Sequence, residues 1–84
     1  MELLDFYADW CGPCQMLKPT LEEFAQKHPE IKITRVNIDD NEGLAEQYGV
    51  SGIPCLVVLK DGQESAREVG VVPLKKIEKL VGIK

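Results

Sequence analysis

The stretch Leu3-Leu4-Asp5-Phe6-Tyr7-Ala8-Asp9-Trp10-Cys11-Gly12-Pro13-Cys14 decides how this chain is read. Leu3 to Ala8 is apolar apart from Asp5, which predicts a strand covered on both faces. From about Gly12 to His28 the apolar residues Met16, Leu17, Leu21, Phe24 and Ala25 recur at spacings of three and four, predicting a helix with one buried stripe. Pro19 is expected to kink that helix, because its ring removes a backbone donor and crowds the carbonyl one turn earlier. The cysteines therefore lie at a strand-to-helix junction, Cys11 at or just before the helix start and Cys14 one turn further in.

Outward from that junction, Ile31 to Ile38 is rich in β-branched residues and reads as a second strand. A helical crossover of this length lays it parallel to the first. Asp40 or Asn41 is placed to cap a short helix whose Leu44, Ala45 and Tyr48 share a face, with Gly49 after its end. Cys55 to Lys60 and Gln63 to Val69 read as an antiparallel hairpin around Asp61-Gly62. A last helix starting near the first-turn residue Pro73 turns Leu74, Ile77, Leu80 and Val81 inward. The expected order is βαβαββα, an α/β fold with a helix-flanked mixed sheet.

The 84 residues, at 9.4 kDa, leave room for a single domain spanning 1–84. A formal net charge of -4 repels a phosphate backbone and argues against nucleic acid as a partner. No apolar stretch is long enough to predict a membrane span. Residues 1–42 carry nine acids and four bases, and residues 43–84 five acids and six bases. That asymmetry is either uneven surface decoration or long-range steering of a basic partner. Met1 is followed directly by Glu2 and an apolar strand pattern, without the marks of a secretory signal, so a cytoplasmic, reducing compartment is expected.

Three cysteines, Cys11, Cys14 and Cys55, cannot make a framework of paired bridges. A bond closing the short Cys11–Cys14 loop would add little stability through chain entropy. The pair suits chemistry better. Three residues along a helix bring both sulfurs to one side, while the positive end of the helix dipole and the unpaired first-turn donors favour thiolate at Cys11. Pro13 fits the first turn, where its missing donor costs nothing, and stiffens the loop. A zinc site fails on ligands, since only Cys55 and His28 remain as sulfur or nitrogen donors. A cysteine hydrolase fails on distance: His28 is 17 residues beyond Cys11 on one helix, roughly 25 Å along its axis at about 1.5 Å per residue. His28 itself is expected to be solvated at the helix's negative end, with Pro29 stopping the turn.

Asp5 is costly to bury ionised, and burial should raise its pKa unless a charge or donor compensates. It is either a structural polar residue or a group beneath the helix start that exchanges a proton with Cys14. Period two places Arg35 on one face of the second strand with Ile31 and Ile33. Turned inward, its guanidinium needs Asp5 as its anion; turned outward, it is a surface charge. Gly43, Gly49 and Gly52 lack the spacing of a phosphate loop, so no nucleotide or other cofactor is expected.

The segment Asp5 to Cys14 closely resembles the active-site stretch of the thioredoxin family, and CxxC in this setting is tied to such redox sites. The likeness continues through Pro19, Val36-Asn37-Ile38-Asp39, Tyr48-Gly49-Val50, Gly52-Ile53-Pro54, Lys60-Asp61-Gly62 and Val69-Gly70. It covers nearly the whole chain. The resemblance implies a thioredoxin fold without the family's usual first strand and helix, leaving a four-stranded mixed sheet and three helices. It implies Cys11 as exposed nucleophile, Cys14 as resolving thiol in a redox disulfide, Asp5 as buried proton acceptor and Pro54 as a cis-proline. Backbone around Ile53 would then pair with an extended substrate segment. Trp10, Gly12, Pro13 and Gly70 would border the contact surface.

Three positions depart from the family pattern. Tyr7 replaces a frequent tryptophan, Arg35 a common lysine, and Cys55 a frequent threonine. Arginine does not readily lose its proton, so charge pairing with Asp5 remains open while lysine-type tuning does not. Cys55 is either a small buried strand residue or a third redox thiol. The function implied is protein-disulfide reduction by dithiol-disulfide exchange in a monomer, recharged by a separate thioredoxin reductase. The alternatives are a disulfide oxidase or isomerase on the same fold, and a non-catalytic thioredoxin-like binding module.

Overall fold

β1, Glu2–Tyr7, forms the spine of the sheet in a computed structural model that describes residues 1–83. It is paired on both sides: parallel to β2 (Lys32–Asn37) and antiparallel to β3 (Cys55–Lys60). β4 (Gln63–Val69) completes the order β2-β1-β3-β4. Between the strands run α1 (Gly12–Lys27) and α2 (Glu42–Gln47), and α3 (Leu74–Leu80) closes the chain. This is the βαβαββα order and four-stranded mixed sheet that the sequence predicts.

Alternation along β1 sends apolar side chains into two layers. Leu3 joins Leu17, Leu21 and Phe24 of α1 and Ile77 of α3, all buried. Leu4 and Phe6 meet Val57 and Leu59 of β3 on the opposite face, beneath Leu44 and Tyr48 at α2. Asp5 shares the α1 face with Leu3 and is the one charged residue among the buried ones described. Asp61 and Gly62 have φ of 54° and 80°, the positive values a type I′ hairpin turn demands.

Several local expectations are corrected. Asn41 stands at the start of α2 but makes no side-chain cap; its amide donates to the Asn37 carbonyl at 3.0 Å instead. Pro73 precedes α3 with extended backbone, φ −73° and ψ 163°, rather than occupying its first turn. His28 is not solvated: its ring lies 4.9 Å from that of Phe24, and its Nε2 is 2.6 Å from Glu78 Oε2. Packing of α3 against the end of α1 covers it, a tertiary contact that a helix-end argument does not contain.

Candidate active site

Cys11 is the N-cap of α1, with φ −89° and ψ 108°, and Pro13 lies in the first turn. The backbone N–H of Cys14 donates to Cys11 Sγ at 3.2 Å. Sulfur thus takes the place of the oxygen of Ser or Asp at a helix start, so a first-turn donor that would hold a thiolate is already aimed at it. Cys11 and Cys14 are joined as a disulfide with Cα atoms 5.2 Å apart. The expected contrast between an exposed and a deep cysteine is absent in this state: Cys11 is 5% accessible and Cys14 4%. Both cysteines pack with Ala8, and Tyr7, Ile38 and Ile53 lie against the three.

Asp5 is 2% accessible. Its register partner across the parallel ladder is Arg35, and Arg35 Nε donates to Asp5 Oδ2 at 3.2 Å. Oδ1 of the same carboxyl is buried without a partner among the described residues. Burial pushes the Asp5 carboxyl up from its ordinary value, and the hydrogen bond and charge of Arg35 pull against it. Arg35 answers both sequence alternatives at once: it lies on the inward face, yet its side chain stays 38% exposed. Its guanidinium carbon sits 3.9 Å over the Tyr7 ring, so the tyrosine serves as a platform for the arginine.

The peptide bond Ile53–Pro54 is cis. The Ile53 carbonyl oxygen lies 3.9 Å from Cys11 Sγ, which puts this segment directly beside the disulfide. Gly70, at φ 101°, donates its N–H to the Pro54 carbonyl at 2.8 Å; that backbone region favours glycine. Val69 and Val71, on either side of Gly70 in the chain, are 51% and 45% accessible. Trp10 is 69% accessible, and Gly12 and Pro13 are exposed, giving the rim an apolar, open character.

Cys55 is on the other face of the sheet, buried among Leu4, Phe6 and Val57. Burial pushes its thiol up, with Arg67 opposing, so it is a poor source of thiolate. Sequence reasoning missed the Trp10–Asp39 contact, in which the indole Nε1–H donates to Asp39 Oδ2 at 2.9 Å. It also missed Arg67, whose Nη2 donates to the Tyr48 carbonyl at 2.6 Å. No periodicity marks either partner, since each pair is far apart in the chain.

A bonded cysteine pair at a helix N-terminus, beside a cis-proline, defines a protein of dithiol-disulfide exchange. The thioredoxin sequence model matches residues 1–82. Thioredoxin of Chlamydia trachomatis is 48% identical over 79 residues, 94% of this chain and 78% of that protein. Thioredoxin of Bacillus subtilis is 45% identical over 80 residues, 94% and 77% of the two chains. Among solved structures, a point-mutant thioredoxin from Halobacterium salinarum superposes with TM-score 0.89 at 41% identity, covering 95% of this chain and 70% of that one. Fasciola hepatica thioredoxin has TM-score 0.89 at 36% identity, covering 95% and 76%. The chain belongs to the thioredoxin family and is a thiol-disulfide oxidoreductase that reduces protein disulfides.

Proposed function

We propose that one dithiol-disulfide cycle runs through Cys11, Cys14 and Asp5. In the reduced form the Cys11 thiolate, held by the helix start, attacks a substrate disulfide and forms a mixed disulfide; the departing substrate thiolate takes up a proton. Cys14 passes its proton toward Asp5 and attacks the Cys11 sulfur, releasing the second substrate thiolate. Two electrons leave the dithiol, one substrate disulfide becomes two thiols, and the Cys11–Cys14 bond closes. The observation that carries this reading is the Cys14 N–H donated to Cys11 Sγ at the N-cap.

Trp10, Gly12, Pro13 and Gly70 border the substrate, and the backbone at Ile53 pairs with an extended substrate segment beside Pro54. In support, no backbone hydrogen bond is donated by Ser51, Gly52 or Ile53 among the described residues. Arg35 tunes Asp5, whereas Cys55 is a packing residue. The chain works as one domain and as a monomer, because a single cysteine pair completes the exchange. A separate thioredoxin reductase returns the electrons, and a reducing compartment, the cytoplasm, suits that direction of transport. No described helix is long and apolar enough to cross a membrane.

Trapping tests the cycle. Cys14→Ser should accumulate mixed disulfides with protein substrates through Cys11, and Cys11→Ser should not. Alkylation of Cys11 followed against pH should titrate below a free cysteine. An ordinary thiol titration together with no trapped partner would overturn the assignment.

A further inference from the structure

The segment that joins α2 to β3 meets β4 and the residue that follows it at three places. Arg67 Nη2 donates to the carbonyl of Tyr48, the residue that ends α2, at 2.6 Å. The Val69 side chain comes within 3.2 Å of where a Cβ on Gly52 would stand. Gly70 N–H holds the Pro54 carbonyl at 2.8 Å. Besides the Gly49 and Val50 N–H bonds back to α2, these contacts with the end of β4 and the residue after it hold the segment from Tyr48 to Pro54.

The first attachment depends on an irregularity. Leu59 pairs with Glu64 but Val58 with Ala66, so Ser65 is an extra residue in β4. In a regular strand, residues three apart face opposite sides; one inserted residue returns them to the same side. Glu64 and Arg67 accordingly meet in a two-point pair, Nε to Oε2 at 2.6 Å and Nη2 to Oε1 at 2.8 Å. The carboxylate fixes the plane of the guanidinium, and the guanidinium then presents Nη2 to the Tyr48 carbonyl.

We propose that Arg67 is a positioning residue for substrate binding: locked to Glu64 by the bulge at Ser65, it holds the end of α2 and so sets where Ile53 and Pro54 sit against the disulfide. This rests on the reading that the Ile53 backbone pairs with substrate. Arg67 touches no reacting atom. Its loss should weaken capture of an extended protein segment and leave the sulfur chemistry alone, because Cys11, Cys14 and Asp5 are carried by β1 and α1.

The test compares Arg67→Met and Arg67→Lys with the parent, using insulin as protein disulfide and a small aromatic disulfide that needs no strand pairing. For insulin, Arg67→Met should raise KM about three- to tenfold with kcat within about twofold, and small-disulfide reduction should stay within about twofold. Lysine should recover part of the loss, since it supplies a charge and one donor without the planar fork. Should Arg67→Met fail to fold, Glu64→Gln releases the guanidinium plane while keeping the arginine, and should raise KM about two- to threefold. An unchanged insulin KM in folded variants, with only a lower melting temperature, makes Arg67 a stabilising residue and overturns the proposal. Hydrogen exchange at the Ile53 amide in a Cys14→Ser mixed disulfide separates the two levels. Protection there with an unmoved KM sinks the Arg67 role alone, whereas no protection sinks the strand-pairing reading and the role with it.

Discussion

Arg35 Nε donates to Asp5 Oδ2 at 3.2 Å, while Asp5 Oδ1 lies buried with no partner among the described residues. The carboxyl is thus half-compensated. One oxygen has a charged donor, and the other has been taken out of water with nothing in exchange, which is costly for an ionised group and tolerable for a protonated one. That imbalance suits a residue that must accept a proton and later release it.

Replacing the carboxyl should therefore stabilise the protein at neutral pH. The folded chain binds the Asp5 proton more tightly than the unfolded chain, so ionisation costs stability. The cost is absent below the ordinary carboxyl value of 3.8, grows as pH rises through the raised folded value, and is complete above it. We expect Asp5→Asn to gain about 1–3 kcal/mol above that window and nothing at its acid end, measured by denaturant unfolding across pH. The same variant should slow release of substrate from the mixed disulfide by about 10- to 100-fold. A less stable Asn variant at neutral pH would contradict the half-compensated carboxyl.

Removing Arg35 should move Asp5 the other way. Arg35→Met withdraws the hydrogen bond and charge that pull the carboxyl down, leaving burial unopposed, so Asp5 ionises at higher pH. The pH profile of the resolving step should shift upward, and the Asp5 carboxyl resonance should titrate with it. Tyr7→Leu, which removes the ring 3.9 Å under the guanidinium, should shift both in the same direction but less. Profiles that superpose on the parent would show that Arg35 is only a surface charge.

Asp39 fixes the orientation of an otherwise exposed indole through the 2.9 Å bond to Trp10. Its own backbone N–H is held by Asn37 Oδ1 at 2.9 Å. Asp39→Ala should loosen Trp10, raising KM for a protein disulfide about two- to fivefold with little change in kcat. Fluorescence anisotropy of the single tryptophan reads the same loosening directly.

His28 and Glu78 tie the end of α1 to α3, with side chains 16% and 22% exposed. His28→Ala and Glu78→Ala should each cost about 1–2 kcal/mol in unfolding, and the double variant less than the two together. Disulfide reduction should be unchanged. Additive losses would mean that the contact contributes nothing of its own.

Much of the fold was legible because it rests on local rules. Period-two and helical spacing set the strands and helices, Asp61-Gly62 set the hairpin, and the placement of Cys11 and Cys14 followed from the helix start between them. Resemblance, rather than geometry, supplied the expectation of a cis bond before Pro54 and chose between the two readings of Asp5. Most misreadings fell where a local rule met a competing partner, and Pro73 simply stands one position before the helix it was expected to enter. Asn41 gave its amide to Asn37, His28 was covered by α3, and Cys11 is buried beside the cysteine it is bonded to.

Sequence by itself determined which residues carry the sulfur chemistry, since a cysteine at a helix start and another one turn later need only the 3.6-residue repeat to meet. The tertiary structure alone decided how that chemistry is tuned and presented. Arg35 reaches Asp5 across 30 residues, Trp10 reaches Asp39 across 29, and Arg67 reaches Tyr48 across 19. Side-chain partners so far apart are chosen by strand register, a bulge and the packing of layers, and these are set by the burial of the whole chain rather than by any segment of it.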